Sequence, residues 1–252
     1  MHFNGRVTHQ RLSVPGGPRD LNVIRYGHFG RPLLMFPSEA GQASQPAEFG
    51  LIDAIAPLID EGRVTVFTVD SLDDWTWSDY GQPTEERARR SEVYHRWITD
   101  SVVPWIYDEL NGPAEILTTG VSMGAFHSVH MALSRADLFP LAIAMSGNYD
   151  PASFRGWGET GDATYFANPM SYVPNLHGAH LEWLRSRVSL LLIVGQGPFE
   201  VHPTRALPGT LEFAEVLAAK GIRHELDVWG HDSAHDWPWW HRQLSHHLPR
   251  FV

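Results

Sequence analysis

The sharpest local signal in the sequence is Gly120-Val121-Ser122-Met123-Gly124. It follows the apolar segment 114–119, which is predicted to be a strand, and a helix is predicted to begin just after Ser122. A Gly-x-Ser-x-Gly turn between a strand and a helix lifts a serine hydroxyl above the sheet, because small residues on either side allow a very tight turn. The N-terminus of the helix behind it favours negative charge. Ser122 is therefore the candidate nucleophile.

Strand and helix patterns alternate along the rest of the chain, which predicts a mostly parallel sheet with helices on both faces, a three-layer α/β sandwich. No repeat or linker interrupts the pattern, so residues 1–252 are predicted to form a single domain. The predicted strands are 8–14, 21–26, 32–36, 64–69, 114–119, 141–145, 188–194 and 225–229. The predicted helices are 48–60, 85–110, one after Ser122, 211–220 and 235–248, and the helix 85–110 could be broken before Pro104.

Composition excludes several classes of protein. Of 252 residues, 43 % are hydrophobic and 19 % charged, which indicates a packed globule rather than a disordered chain. A net charge of −10 argues against a nucleic-acid partner, and no basic helix or long apolar run predicts membrane contact. We expect a cytoplasmic protein with a neutral or weakly charged substrate. The absence of cysteine excludes thiolate nucleophiles, disulfides and Cys-ligated metals.

A serine nucleophile needs a base, and two histidines follow the last predicted strand. Nucleophile, acid and histidine follow one another in that order in sheets of this architecture, so His231 and His235 are the candidates. We favour His235 because it opens the last helix, from which its ring could lean towards Ser122. These two histidines, four residues apart beside Asp232 and Asp236, could instead hold a metal. Gly230 and Ser233 indicate a loop there and no third ligand is evident, so no metal or other cofactor is predicted.

The acid is expected after the penultimate strand. Glu200 is the first carboxylate there, and the next is Glu212. A carboxylate at that place would hold the imidazole tautomer and stabilise the imidazolium. Asp227 and Asp232 are the alternative acids.

An oxyanion site needs two backbone N–H groups. Met123, directly after the nucleophile, is expected to supply one. The other should come from the loop after the strand 32–36, where Pro37 has no N–H. Ser38 or Glu39 must then serve, and we choose Glu39.

The segment 148–186 is long and rich in glycine and aromatic residues, which predicts a small cap or roof over the pocket. Few of its residues are charged, so we expect an apolar pocket wall. The residues chosen as substrate-binding are Trp75, Tyr165 and Phe199.

With these residues in view, the sequence resembles the esterase D and bacterial mycolyltransferase branch of the α/β-hydrolases, and more closely a group of small bacterial esterases. The resemblance spans about residues 33–248. It rests first on the Met after Ser122 and on a His-x-Trp-x-x-Trp pattern formed by His235, Trp237 and Trp240. It rests also on the segments 67–70 with Trp75, 168–169, 174–175, 195–197 and 227–230. It implies an α/β-hydrolase fold, His235 as base and Glu200 as acid. Pro198 stands where many relatives carry an Asp, which is a departure from their pattern.

The sequence thus predicts a serine esterase that acts on a small-molecule ester through Ser122, His235 and Glu200. Two alternatives remain. The same residues could transfer the acyl group to an alcohol, or the fold could serve as a binding protein without catalysis. The sequence does not indicate the ester or the oligomeric state.

Overall fold

A mixed sheet forms the centre of the molecule. The computed structural model describes residue 3 and residues 5–252, and within them one sheet has the strand order β1-β2-β4-β3-β5-β6-β7-β8. β1 and β2 are antiparallel to each other, β2 is antiparallel to β4, and the remaining pairs are parallel. The strands are β1 Val7–Leu12, β2 Leu21–Tyr26, β3 Arg31–Phe36, β4 Val64–Val69, β5 Leu117–Val121, β6 Leu141–Met145, β7 Ser189–Val194 and β8 His224–Val228. The predicted α/β sandwich is confirmed.

Helices cover the sheet. In chain order they are α1 Gln45–Glu48, α2 Leu51–Ala54, α3 Ala56–Asp60, α4 Thr84–Trp97, α5 Val103–Leu110, α6 Met123–Ser134, α7 Asp162–Ala167, α8 Pro169–Tyr172, α9 Gly178–Arg187, α10 Ala206–Ala219 and α11 Trp237–His247. None of the helices in the described part of the chain has both the length and the apolar character needed to cross a membrane.

Each buried strand contributes side chains to two hydrophobic cores, because successive side chains of a strand point to opposite faces of the sheet. In β3, Leu34 and Phe36 belong to the core that includes Tyr94 and Trp97 of α4. Leu33 belongs to the second core, with Trp240 and Leu244 of α11. Since both faces of the sheet are covered at β3 and β7, these two strands are apolar along most of their length, which is why short runs such as 32–36 predicted buried strands.

Two predicted helices are interrupted. The helix predicted over 48–60 is three short helices, because Gly50 takes a left-handed conformation (φ 81°) between α1 and α2, and α3 begins anew with Pro57 in its first turn. The helix predicted over 85–110 runs through a π-helical turn at Ile98–Val102 just before Pro104. A proline lacks the N–H for a helical hydrogen bond and its ring crowds the preceding turn, which accounts for the wider turn.

Candidate active site

Ser122 sits at a strained turn. It joins β5 directly to α6 with φ 56° and ψ −118°, a conformation rarely adopted by residues other than glycine. The two flanking glycines are required by contact. A Cβ on Gly120 would lie 2.3 Å from the carbonyl of Gly124, and a Cβ on Gly124 would lie 2.3 Å from the carbonyl oxygen of Pro37. The Gly-x-Ser-x-Gly pattern therefore holds β5, α6 and the loop after β3 in close contact.

His235 lies in the loop that follows β8, just before the N-cap residue of α11. Its backbone N–H donates to the carbonyl of Pro198 at 2.9 Å, and its Nδ1 lies 3.2 Å from Oε2 of Glu200. Its ring and Ser122 line the same pocket. His231, the other candidate base, is exposed. The structure thus brings Ser122, Glu200 and His235 together from three separate loops.

Glu200 is fully buried and its carboxylate accepts three hydrogen bonds. One comes from Nδ1 of His235, one from the hydroxyl of Ser146 at 2.6 Å and one from the N–H of Gly195 at 3.2 Å. Trp240 donates its indole N–H to the Ser146 oxygen at 3.0 Å, and its ring lies edge-on to His235 at 5.1 Å. The carboxylate is therefore held in one orientation facing the imidazole.

The loop of residues 195–200 after β7, called the acid loop below, explains how Glu200 reaches this position. Pro198 occupies the place of the Asp of many relatives. The N–H of Glu200 donates to the carbonyl of Gly197 at 3.3 Å, and Phe199 takes a left-handed conformation (φ 67°). That turn directs Phe199 outward, where it is 64 % exposed, and Glu200 inward. Ser146 was missed by the sequence reasoning, because only its position after β6 could have indicated it.

In the loop after β3, some backbone N–H groups donate a hydrogen bond and one does not. The N–H of Ser38 donates to the side chain of Gln45 at 2.9 Å, and that of Ala40 donates to Oδ2 of Asp73 at 3.1 Å. The N–H of Glu39 between them has no partner in the described part of the chain, and Glu39 lines the pocket beside Met123. Met123 is the first residue of α6, where N–H groups have no helical acceptor. Of the two residues that the sequence left open, Ser38 is thus already engaged and Glu39 is available.

Behind that loop lies a buried chain of polar groups that the sequence did not predict. Asp73 also accepts from Nε2 of His127 at 3.0 Å, and Nδ1 of His127 lies 3.0 Å from Nε2 of His95. His130 stacks on His95 at 4.2 Å. Burial lowers the pKa of His95 well below its usual value and that of His130 to about 3, so both rings are neutral near pH 7. The chain joins α4 and α6 to the loop of Glu39.

The pocket around Ser122 has a volume of about 270 Å³ and a mixed lining. Its aromatic and apolar members include Trp77, Tyr80 and Phe154, and its polar members include Asn148 and Arg155. The apolar wall expected from the sequence is therefore only part of the surface. The rest is polar or charged.

The three residues chosen from the sequence as substrate-binding are not among those that line this pocket. Trp75 packs beneath the guanidinium of Arg90, at 5.0 Å from its ring centre. The Tyr165 hydroxyl accepts a hydrogen bond from the side chain of Asn175, and the side chain of Phe199 is exposed. In the loop after β4 it is Trp77 that turns inward, where it is 1 % exposed.

The segment 148–186 is folded rather than an open loop. It contains a short 3₁₀ turn at Pro151–Ser153 followed by α7, α8 and most of α9. Only its beginning, including Asn148, Ser153, Phe154 and Arg155, lines the pocket. Further along, α7 packs against α4, where the Glu85 carboxylate accepts the N–H groups of Ala163 and Thr164 at the start of α7.

Solved structures share this fold. A ferulic acid esterase superposes with a TM-score of 0.72 at 17 % identity, covering 97 % of both chains. An S-formylglutathione hydrolase from Agrobacterium tumefaciens gives a TM-score of 0.72 at 17 % identity, covering 99 % of this chain and 95 % of that one. Mycobacterium tuberculosis MPT51 (FbpC1) gives 0.70 at 13 % identity, covering 96 % of both. At these identities the likeness shows the fold alone.

Family membership comes from the sequence. No curated protein matches this chain significantly. A family model described as "Putative esterase" matches residues 41–251, a range that contains the strained serine turn, the acid loop and the histidine loop. The chain therefore belongs to this esterase family, and its fold is that of the α/β-hydrolases.

Proposed function

We propose that this protein is a serine esterase that hydrolyses small carboxylic esters through a Ser122-His235-Glu200 triad and an acyl-enzyme. The observation that carries the proposal is the buried Glu200 carboxylate bonded to His235, whose ring shares one pocket with Ser122. A serine hydroxyl is a poor nucleophile unless a base removes its proton, and an imidazole oriented by a carboxylate is such a base.

In the first half of the reaction, Ser122 Oγ attacks the ester carbonyl carbon while His235 takes the hydroxyl proton. The carbonyl oxygen becomes an oxyanion that the N–H groups of Met123 and Glu39 stabilise. Collapse of this intermediate breaks the bond to the alcohol, which leaves with the proton returned by the imidazolium. The product is an acyl group on Ser122.

In the second half, His235 takes a proton from water, and the resulting attack forms a second tetrahedral intermediate. Its collapse breaks the bond to Ser122 Oγ, which regains a proton from His235, and releases the carboxylic acid. Glu200 keeps the Nδ1 proton on His235 throughout and stabilises the imidazolium that forms twice per cycle. The enzyme thus returns to its starting protonation state.

The size of the pocket favours short acyl groups. A volume of about 270 Å³ lies below the range of about 300–1,000 Å³ typical of sites for drug-sized ligands. The strained backbone of Ser122 supports catalysis over a pure binding role, because such conformations cluster at reactive sites.

The test is a series of p-nitrophenyl esters from acetate to octanoate. We expect activity to be highest at acetate to butyrate and to vanish in Ser122→Ala. Activity that survives in Ser122→Ala would contradict the serine mechanism. With added alcohols, alkyl esters formed in place of acid would instead favour acyl transfer.

A further inference from the structure

Arg155 presents an unpaired positive charge at the mouth of the catalytic pocket. It is solvent-exposed and lines the pocket together with Ser122 and His235. Within the described residues its guanidinium donates no hydrogen bond and forms no ion pair. Its guanidinium carbon lies over the ring of Tyr80, 5.1 Å from the ring centre. All five of its N–H donors are therefore free for a ligand.

A second arginine fixes the position of the first. Arg87 is 1 % exposed, and its guanidinium donates to the carbonyl of Trp77 at 2.9 Å and to that of Arg155 at 3.2 Å. It also bonds the carbonyl of Gly156 and the hydroxyl of Thr84. These acceptors are neutral, so they bind the two terminal NH2 groups of Arg87 without cancelling its charge, and its buried Nε has no hydrogen-bond partner in the described part of the chain. The Arg155 backbone is thus held at the pocket wall by a buried cation that adds to the local positive potential.

The pocket also contains a carboxylate, that of Glu39, and it does not neutralise Arg155. The Glu39 side chain accepts a hydrogen bond from the hydroxyl of Ser78, and no ion pair joins it to Arg155 within the described chain. The backbone of Glu39 belongs to the proposed oxyanion loop. The two charged groups therefore line the same pocket without pairing with each other.

We propose that the natural ester carries a carboxylate that Arg155 binds, so that the substrate is a monoester of a short dicarboxylic acid. This inference rests on the proposed esterase function and narrows it to an anionic substrate class. A guanidinium forms paired, charge-assisted hydrogen bonds with a carboxylate, a geometry that no neutral group reproduces. The chain as a whole carries −10, so an unpaired arginine at the pocket lowers the repulsion that an anion otherwise meets there.

The experiment compares two esters of nearly the same shape. Monoethyl succinate ends in a carboxylate, whereas ethyl levulinate has a methyl ketone in its place. The readout is the ratio of kcat/KM for the anionic ester to that for the neutral ester, which is insensitive to partial unfolding of a variant. We expect a ratio of about 10 in the wild type at low salt, chiefly from a lower KM, and a smaller ratio at high salt.

Substitutions then assign that ratio to one residue. Arg155→Met should lower the ratio about tenfold, and Arg155→Glu should lower it further and raise activity on the cationic ester ethyl 4-aminobutanoate. Arg89→Met is the matched control. It removes the same charge from an exposed arginine on α4 that does not line the catalytic pocket, and its ratio should equal that of the wild type.

The proposal is wrong if the wild type shows no preference for monoethyl succinate, or if Arg155→Met keeps it. A wild-type preference for ethyl 4-aminobutanoate would also overturn it and assign the selectivity to Glu39. If the enzyme cleaves p-nitrophenyl acetate but neither ethyl ester, competitive inhibition of that reaction decides: monoethyl succinate must inhibit more strongly than ethyl levulinate. Failure to cleave any ester would instead refute the proposed function itself.

Discussion

Replacing Glu200 by Gln tests how the buried acid controls His235. The carboxylate has two oxygens, of which Oε1 accepts from the hydroxyl of Ser146 and the N–H of Gly195, and Oε2 faces Nδ1 of His235. Glutamine has nearly the same shape but offers only one oxygen. It must therefore present its NH2 group either to His235 or to Gly195.

The two orientations have different energies. With the amide oxygen towards Gly195, the NH2 group faces His235 and forces Nδ1 to act as the acceptor. The ring proton then sits on Nε2, and the ring cannot take the proton of Ser122. In the other orientation the tautomer is correct, but the buried N–H of Gly195 is left facing a donor, which costs about 1–3 kcal/mol. Most molecules of Glu200→Gln should therefore hold the inactive tautomer.

Even in the correct tautomer, His235 is a weaker base in the variant, because no negative charge stabilises its imidazolium. This loss of stabilisation is about 2–3 kcal/mol. Together the two effects raise the barrier by about 3–6 kcal/mol, which corresponds to a loss of about 150- to 25,000-fold in kcat. The assay is p-nitrophenyl acetate hydrolysis, with Glu212→Gln as the control. Glu212 is an exposed glutamate on α10 that pairs with Arg205, and its replacement should leave kcat unchanged. A folded Glu200→Gln that keeps a tenth of the wild-type kcat would refute the reasoning.

Two further perturbations concern the buried polar chain behind the oxyanion loop. Asp73→Ala leaves the N–H of Ala40 and the ring of His127 without an acceptor, so kcat should fall about tenfold. Asp73→Asn keeps the acceptor for Ala40 and should retain most of the activity. If the two variants lose kcat equally in steady-state assays, the loop does not depend on that bond. A separate prediction concerns His130. Burial lowers its pKa to about 3 in the folded state, whereas an unfolded histidine binds a proton near pH 6.5. Above about pH 6.5 neutral His130 therefore does not lower the free energy of unfolding, whereas towards pH 3 that free energy falls. The loss between pH 7 and pH 5 is about 2 kcal/mol. Urea unfolding of His130→Gln should show a pH dependence smaller by that amount, and an unchanged one would contradict the assignment.

Much of the fold and the core of the site could be predicted from the sequence because their signals are local. The Gly-x-Ser-x-Gly turn needs two glycines at fixed positions around Ser122, and both are visible within five residues. His235 and Glu200 follow strands whose order in the chain defines where their loops meet. Apolar runs mark the central strands such as β3 and β7, since both faces of the sheet are buried there.

The remaining features depend on contacts between residues that are distant in sequence. Asp73 and His127 are 54 residues apart, and so are Ser146 and Glu200. No local pattern indicates such pairs. The residues of the pocket wall are hard to predict for the same reason. Packing, rather than the composition of their loop, decides whether Trp75 or Trp77 turns inward. The interruption of the helix 48–60 was readable in Gly50 and Pro57, but the apolar periodicity of that stretch favoured one continuous helix.

The central claim is that Ser122 is a nucleophile activated by its surroundings. The most direct test is intact-mass spectrometry after treatment with a fluorophosphonate, which labels only activated serines. Ser186→Ala is the matched control, since that exposed serine on α9 bonds only within its own helix. The account predicts one phosphonyl group per chain on the wild type and on Ser186→Ala, peptide mapping of that group to Ser122, and none on Ser122→Ala. A wild-type protein that stays unlabelled, or a Ser122→Ala variant labelled as fully as the wild type, would contradict it.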